Sequence, residues 1–243
     1  MKNVLSTKSL EIITISCNND EGLAITAKNI IDQKNSNILW TIVDGSNSKL
    51  AKTLSLTSSI SVRVLHDQGI GIYNAMNIGL FNAVGEFLVF LNAGDQLIRN
   101  ISLREIIKKL NKVDVLFMGY KIREKTFKPN SFKNFVYKMP TSHQAIVFKR
   151  DIHINFPYDL NYKIAADFDV LHRLKKYGYT FNTDNTNFVS IETGGISDLQ
   201  RSLVFYERLK IIKGFGLQKL LVIFSFFYCI PPILRKFTRS KFN

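Results

Sequence analysis

The feature that most constrains the fold of this chain is the alternation of apolar runs with amphipathic stretches through its first half. Runs rich in Ile, Val, Leu and Phe predict buried strands, and apolar residues spaced three or four apart predict helices between them. This alternation indicates an α/β fold with a mostly parallel central sheet flanked by helices. The predicted strands are Leu10–Ser16, Ile38–Asp44, Ser61–Leu65, Phe87–Leu91 and Val113–Met118, and the predicted helices are Gly22–Gln33, Ile72–Ala83 and Asn100–Leu110.

Polar residues follow several of these predicted strands. Ligands of such sheets bind beyond the carboxyl ends of the strands. We therefore expect three groups to lie along one edge: Ser16 to Asn18, Asp44, and Asn92 to Asp95.

The second half of the chain is less regular. Its basic, aromatic stretch at Lys121–Lys138 is predicted to be rich in loops, and Ala145–Phe148 reads as a short strand. Helical spacing recurs at Ala166–Lys176 and at Leu199–Lys213.

Charge is concentrated in two places, although the net charge of the whole chain is +14. Residues 1–120 and 141–200 together hold 18 basic and 17 acidic residues, whereas 121–140 hold six and one, and 201–243 hold nine and one. Such basic patches favour phosphate in nucleic acid, anionic lipid or phosphorylated substrates. With 46% apolar residues, global disorder is excluded, and the two cysteines suggest a reducing compartment rather than a disulfide framework.

Leu220–Leu234 is apolar at every position except Ser225, and basic residues follow it. Its fifteen residues fall short of the roughly 20 that span a bilayer. The segment fits an amphipathic helical tail lying in the plane of an anionic membrane surface. The alternative is a C-terminal helix packed on the core.

Each polar strand end admits a functional and a purely structural interpretation. Ser16 and Asn18 suit contacts to a base or ribose, but their segment equally suits a helix N-cap. Asp44 can bind a nucleoside or close a turn with Gly45, and Asp95 can bind a divalent ion or close a turn. The Gly69-Ile70-Gly71 loop before a helix can cradle phosphate. It lacks the dinucleotide-binding pattern because Asn74 occupies the last glycine position.

Taken together, these elements resemble the family-2 glycosyltransferases, which adopt the GT-A nucleotide-diphospho-sugar transferase fold. The nearest sub-group comprises bacterial surface-polysaccharide transferases of the colanic acid and O-antigen type, and the resemblance covers about residues 10–200. The matching segments are Asp44-Gly45-Ser46, Gly71–Gly79, Leu91–Asp95, His143-Gln144, Ala166–Leu174 and Gly194-Gly195-Ile196-Ser197.

The resemblance implies a role for each matching residue. Asp167 would be the general base, and Asp95 the carboxylate that holds a divalent cation, Mn or Mg. Donor-binding residues would be Ser16, Asn18, Asp44, Asp67, Gly71, Asn77, Asn92 and Asp95, and the acceptor side would hold His143, Gln144 and Arg173. Neighbours two apart on a helix do not share a face, so only one of Asp167 and Asp169 can point into the cleft, and the family pattern selects Asp167.

The implied activity is inverting transfer of a hexosyl or N-acetylhexosaminyl group from a UDP-sugar to a saccharide or lipid-linked acceptor. The predicted location is cytoplasmic, peripheral on the inner face of the cell membrane. The predicted transferase domain is 1–213, with donor-binding residues 1–120 and acceptor-binding residues 121–213, followed by the tail at 214–243. Asn92 and Gly94 replace acidic residues common in the family, which weakens the metal prediction and leaves a non-catalytic scaffold as an alternative. A nucleic-acid-binding protein is disfavoured because no recognised motif accompanies the basic stretch.

Overall fold

The computed structural model describes residues 9–33, 38–46, 48–51, 54, 62–99, 101–131, 138–192 and 200–212. The tail at 214–243, the Gly194-Gly195-Ile196-Ser197 motif and part of the basic stretch, 132–137, lie outside these residues. No helix in the described ranges has the length and apolar character needed to cross a bilayer.

The first half forms the parallel sheet that the alternation predicts. Its strands lie in the order β3-β2-β1-β4, and all three contacts between neighbours are parallel. Every residue of β1 is buried, as expected for a strand covered on both faces. The elements of this half are β1 (Leu10–Ser16), α1 (Asp20–Asp32), β2 (Ile38–Asp44), β3 (Val62–His66), α2 (Ile72–Asn82) and β4 (Phe87–Asn92).

The second half of the sheet is mixed, so the prediction of a mostly parallel sheet is wrong there. β8 is antiparallel to both β4 and β6. β9 is parallel to β6. β5 is antiparallel to β9, and β7 is antiparallel to β6. The elements are β5 (Gln96–Leu97), α3 (Leu103–Leu110), β6 (Val115–Ile122), β7 (Lys125–Phe127), a 3-10 turn (His143–Ala145), β8 (Ile146–Lys149), α4 (Arg150–His153), α5 (Ala166–Lys176), β9 (Phe181–Ser190) and α6 (Arg201–Ile211).

Two parts of this half differ from the sequence prediction. The stretch predicted to be loop-rich from Lys121 begins as the end of β6 and continues into β7, where the rings of Tyr120 and Phe127 stack at 4.8 Å. β9 was not predicted, because its first seven residues are mostly polar and several are exposed. Its pairing with β6 overrides this low strand propensity.

Helices cover both faces of the sheet. On one face α1 and α3 contribute buried apolar residues such as Leu23 and Leu110, and on the other α2 and α5 contribute residues such as Met76 and Leu171. Gly79 permits α2 to approach the sheet closely, because a Cβ there would lie 2.4 Å from Ile13 Cγ2. With both faces covered, the carboxyl ends of the parallel strands remain as the place for a site.

Candidate active site

Three predicted donor-binding residues lie side by side at the carboxyl ends of β1, β2 and β4. Ser16 pairs with Asp44 in register, and Asn92 lies opposite Ile15. The loop after β4 then carries Asp95, and Asn19 Nδ2 donates to the Ala93 carbonyl of the same loop at 3.2 Å. The structure thus brings these residues to one edge of the sheet, the strand-end edge, while their role in donor binding stays a prediction.

Three polar side-chain atoms of the candidate site are buried without a hydrogen-bond partner in the described part of the chain: Ser16 Oγ, Asn92 Oδ1 and His143 Nε2. Buried polar atoms are nearly always paired, because an unpaired one costs about 1–3 kcal/mol. These three atoms are therefore available to hydrogen-bond a ligand.

The Asp44 carboxylate is fully buried and organises the loop that follows β2. It accepts from the Ser46 N–H at 3.1 Å, the Ser46 hydroxyl at 2.7 Å and the Ser48 N–H at 2.7 Å. The turn-closing interpretation therefore describes what Asp44 does in this structure, and a contact with a nucleotide stays a prediction. Neighbouring Asn18 has a positive φ of 50° and is exposed.

The glycine loop before α2 is arranged around Asp67. The Asp67 carboxylate accepts from Asn74 Nδ2 at 2.7 Å, and the Asp67 N–H donates to the Asp44 carbonyl at 2.9 Å. An aspartate at position 74 would face the Asp67 charge, whereas the asparagine donates to it. Gly69 and Gly71 have φ values of 72° and 139°, which side chains rarely adopt. The loop therefore leaves exposed backbone at the start of α2.

Asn77 faces the protein interior. Its Nδ2 donates to the Tyr158 carbonyl at 2.8 Å, and its Oδ1 accepts from the Tyr158 N–H at 2.9 Å. Both halves of the amide are thus used to hold the segment that leads towards α5. A contact between Asn77 and the donor would have to displace these bonds.

Asp95 is almost completely buried and is surrounded by N–H donors. Its Oδ2 accepts from the Asn92 N–H at 2.9 Å and from Gln144 Nε2 at 3.2 Å, and its Oδ1 accepts from the Glu192 N–H at 3.0 Å. Burial raises the pKa of Asp95, while these donors and the nearby His143 lower it. Gln144, which was predicted to bind the acceptor, therefore contacts Asp95, which was predicted to hold the metal ion.

These surroundings do not fit a resident divalent cation. The lone pairs of Asp95 face N–H groups, and no cluster of three His, Cys, Asp or Glu residues with metal-binding geometry occurs among the described residues. Divalent cations require several oxygen ligands, which a single enclosed carboxylate does not supply. We therefore assign no step of the chemistry to a metal ion.

Asp167 lies in the first turn of α5, and its carboxylate contacts Tyr73. Its Oδ1 accepts from the Tyr73 hydroxyl at 3.4 Å and from the Phe168 N–H at 2.7 Å, whereas Oδ2 accepts no hydrogen bond in the described ranges. Burial and the charge of Asp167 raise the pKa of Tyr73 well above its ordinary value, so the hydroxyl keeps its proton. The arrangement leaves one carboxylate oxygen available to accept a proton.

His143 lies within the electrostatic reach of both Asp95 and Asp167. Burial lowers the pKa of His143, and the charges of Asp167 and Asp95 raise it. The imidazole is therefore close enough to both carboxylates to respond to their charges, and its Nε2 has no hydrogen-bond partner among the described residues.

Arg173 does not contact Asp167. Its Nε donates to Asp169 Oδ2 at 2.6 Å, its guanidinium also donates to the Pro157 carbonyl, and it lies 5.8 Å from the centre of the Phe156 ring. Residues four apart share a helix face, so Arg173 pairs with Asp169. Arg173 therefore gives no support to Asp167, and an acceptor contact by Arg173 would have to compete with these bonds.

Two residues near Asp167 were not assigned from the sequence. Tyr73 lies within a matching motif, but nothing local indicated that its hydroxyl reaches Asp167. Glu207 is a buried carboxylate of α6 that accepts from the backbone just before α5. A lone acidic residue in a basic helix gave no signal of this contact.

Comparisons with known proteins agree with the fold. Residues 11–167 match glycosyl transferase family 2, a range that ends at Asp167. The chain is 26% identical over 175 residues to a PGL/p-HBAD biosynthesis glycosyltransferase of Mycobacterium tuberculosis H37Rv and to one of Mycobacterium bovis BCG. The match covers 66% of this chain and 66% of each relative, so the chain spans just under two thirds of their length.

Among solved structures, Staphylococcus aureus TarS 1–349 in complex with UDP-GlcNAc is similar, with a TM-score of 0.68 and 13% identity over 84% of this chain and 65% of TarS 1–349. The mannosyltransferase PcManGT of Pyrobaculum calidifontis, in complex with GDP-Man and Mn2+, has a TM-score of 0.57 and 16% identity over 72% of this chain and 54% of its own. These likenesses establish the GT-A-like fold. On the match across most of its length, the chain belongs to glycosyl transferase family 2.

Proposed function

We propose that this chain is an inverting transferase that moves a hexosyl or N-acetylhexosaminyl group from a UDP-sugar to a saccharide acceptor. In the part of the chain that the structure describes, the observations that carry the proposal are the unsatisfied buried atoms of Ser16, Asn92 and His143 and the unbonded Oδ2 of Asp167, whose charge acts on His143. Similarity to TarS 1–349, which was solved in complex with UDP-GlcNAc, supports the choice of donor.

In the mechanism that we propose, Asp167 is the general base. Its Oδ2 takes the proton of the acceptor hydroxyl while that oxygen attacks the anomeric carbon, and the bond from the sugar to the diphosphate breaks. The Tyr73 hydroxyl and the Phe168 N–H hold the other oxygen. In this proposal the negative charge that develops on the leaving diphosphate is met by basic residues of 121–138.

The acceptor that we propose is a lipid-linked oligosaccharide in bacterial surface-polysaccharide synthesis, of the O-antigen or capsule type. The enzyme would work on the inner face of the cell membrane as a peripheral protein. The apolar segment Leu220–Leu234 and its basic flank support this location. Similarity to relatives named as PGL/p-HBAD biosynthesis glycosyltransferases supports transfer of a sugar.

The test has two stages. A thermal-shift screen with UDP, GDP, dTDP and CMP, with and without manganese, identifies the nucleotide, because a ligand of the native state raises its melting temperature. Transfer from the corresponding sugar donor is then measured for the wild type and for Asp167→Asn. We expect transfer to fall about 100-fold or more in this variant, since general-base catalysis contributes about 10²–10⁴-fold, while the UDP-induced shift is retained.

Asp169→Asn is the matched control, because Asp169 lies two residues further along α5 but pairs with Arg173. We expect it to keep its turnover. Retained turnover in Asp167→Asn would contradict the mechanism. The enclosed Asp95 and the loss of acidic residues at positions 92 and 94 favour one alternative, a non-catalytic scaffold, and absence of transfer or donor hydrolysis with every nucleotide-sugar would support it.

A further inference from the structure

Glu207 makes an unusual set of contacts for a residue remote from the candidate site in sequence. It is only 5% exposed, and its carboxylate accepts from three consecutive backbone N–H groups. Its Oε1 accepts from Lys163 at 2.8 Å, and its Oε2 accepts from Ile164 and Ala165 at 3.0 Å each. Hydrogen bonds to a charged group are stronger than neutral ones, so these three bonds strongly favour one path for the chain.

The three residues that Glu207 holds lead directly into α5. Ala165 is the N-cap residue of this helix, and its side chain makes no cap hydrogen bond. Glu207 therefore fixes the backbone at the start of a helix that has no side-chain N-cap of its own. Asp167 follows two residues later. A shift of the 163–165 backbone therefore moves the carboxylate of Asp167 relative to Tyr73.

Apolar contacts hold α6 against the same place. Ile212, at the end of α6, packs with Ala165 and Phe168, and all three are fully or almost fully buried. The Arg208 guanidinium lies 5.2 Å from the centre of the Phe168 ring. The helix that supplies Glu207 is thus packed on the residues that flank Asp167.

We propose that Glu207 is a positioning residue for the general base: its carboxylate holds the backbone of Lys163, Ile164 and Ala165 so that Asp167 meets the acceptor hydroxyl in reactive geometry. This inference rests on the proposed function, in which Asp167 takes the proton. Misplacing a catalytic group by about 1 Å can cost about 100-fold in rate, so a residue that touches no substrate can control turnover.

The test is Glu207→Gln, which keeps the length of the side chain but places an amide NH₂ where a carboxylate oxygen accepted an N–H. We expect kcat to fall about 10- to 100-fold, with the donor KM and the UDP-induced thermal shift within about twofold of the wild type. Hydrogen exchange at the amides of 163–165 should accelerate. Loss of donor affinity is not expected, because the strand-end edge lies on other elements.

Glu11→Gln is the matched control. Glu11 is also a buried carboxylate that accepts from two backbone N–H groups, those of Val84 and Gly85 at 2.7 Å each, but it lies near the opposite end of β1 from Ser16. We expect this variant to lose thermal stability and to keep its kcat when assayed below its melting temperature. A purely structural role for Glu207 predicts the same behaviour in both variants.

The outcomes separate the two proposals. If Asp167→Asn is inactive and Glu207→Gln turns over like the wild type, the positioning proposal is overturned and the proposed function stands. If Asp167→Asn remains active, the proposed mechanism fails, and the positioning proposal, which rests on Asp167 as the general base, fails with it. If Glu207→Gln does not fold, Glu207→Asp, which keeps the charge but withdraws it by one methylene, carries the test. Failure of both to fold also overturns the proposal, because the carboxylate would then support the whole domain.

Discussion

At the scale of single residues, His153 has the most strongly perturbed environment of the described histidines. Its ring is fully buried, stacks on Phe148 with centroids 4.3 Å apart, and meets Phe90 and Tyr158 edge-on. Its Nδ1 lies 3.2 Å from the Phe156 carbonyl. Burial lowers the pKa of His153 to about 3, so the imidazole is neutral in the folded protein.

This burial predicts an acid-sensitive fold. In the unfolded chain His153 titrates near its ordinary pKa of about 6.5, so between pH 6.5 and about 3 the unfolded state holds one more proton. Stability from this group therefore falls as pH drops through that window, by about 1.4 kcal/mol per pH unit. The amide of His153→Asn can still donate to the Phe156 carbonyl. Between pH 7 and pH 5 we expect the free energy of unfolding of this variant, measured with urea, to fall by about 2 kcal/mol less than that of the wild type.

Phe148→Leu is the control for this prediction, because it removes a ring that contacts His153 without removing a titratable group. Its loss of stability relative to the wild type should be the same at pH 7 and at pH 5. The same pH dependence in His153→Asn and the wild type would show that the histidine is not the source.

At the scale of elements, the segment between α4 and α5 is held by side chains from three helices. Asn77 of α2 binds the backbone of Tyr158, Arg173 of α5 binds the Pro157 carbonyl, and Glu207 of α6 binds the backbone before Asp167. None of these contacts is local in sequence. The segment therefore takes its shape from the assembled domain.

Asn77→Ala tests whether Asn77 serves this segment or the donor. The substitution leaves the buried N–H and carbonyl of Tyr158 without partners, so we expect the free energy of unfolding to fall by about 2–4 kcal/mol. A donor-binding role predicts instead a higher donor KM with stability retained. Asn82→Ala, in the exposed last turn of the same helix, is the matched control and should change neither quantity measurably.

At the scale of the whole molecule, the positive charge is concentrated in two regions, residues 121–140 and residues 201–243, and the rest of the chain is nearly neutral. Residues 201–243 hold nine basic and one acidic residue, and the apolar run Leu220–Leu234 lies among them. Apolar area and positive charge together favour adsorption to anionic lipid.

We therefore expect the full chain to sediment with vesicles that contain phosphatidylglycerol and not with pure phosphatidylcholine vesicles, and to be released as the salt concentration rises. Deleting residues 215–243 should abolish the binding. A truncated chain that still binds anionic vesicles would show that the tail is not the anchor, and would favour its packing on the core.

The sequence by itself determined the parallel half of the sheet and the opposite orientations of Asp167 and Asp169. Those features follow from local periodicity: buried strands are continuous apolar runs, as in Leu10–Ser16, and residues two apart on a helix point in different directions. The meeting of Ser16, Asp44 and Asn92 followed from the order of strands and helices.

Only the tertiary structure decided the mixed half of the sheet, the pairing of β9, and the partners of Asn77, Arg173 and Glu207. β9 carries polar residues that become a strand because β6 pairs with them. The three side chains reach backbone groups 16 to 81 positions away in sequence. In the sequence, nothing distinguishes them from an asparagine, arginine or glutamate on the surface. Long-range hydrogen bonds leave no local pattern, because the partner is chosen by packing rather than by spacing.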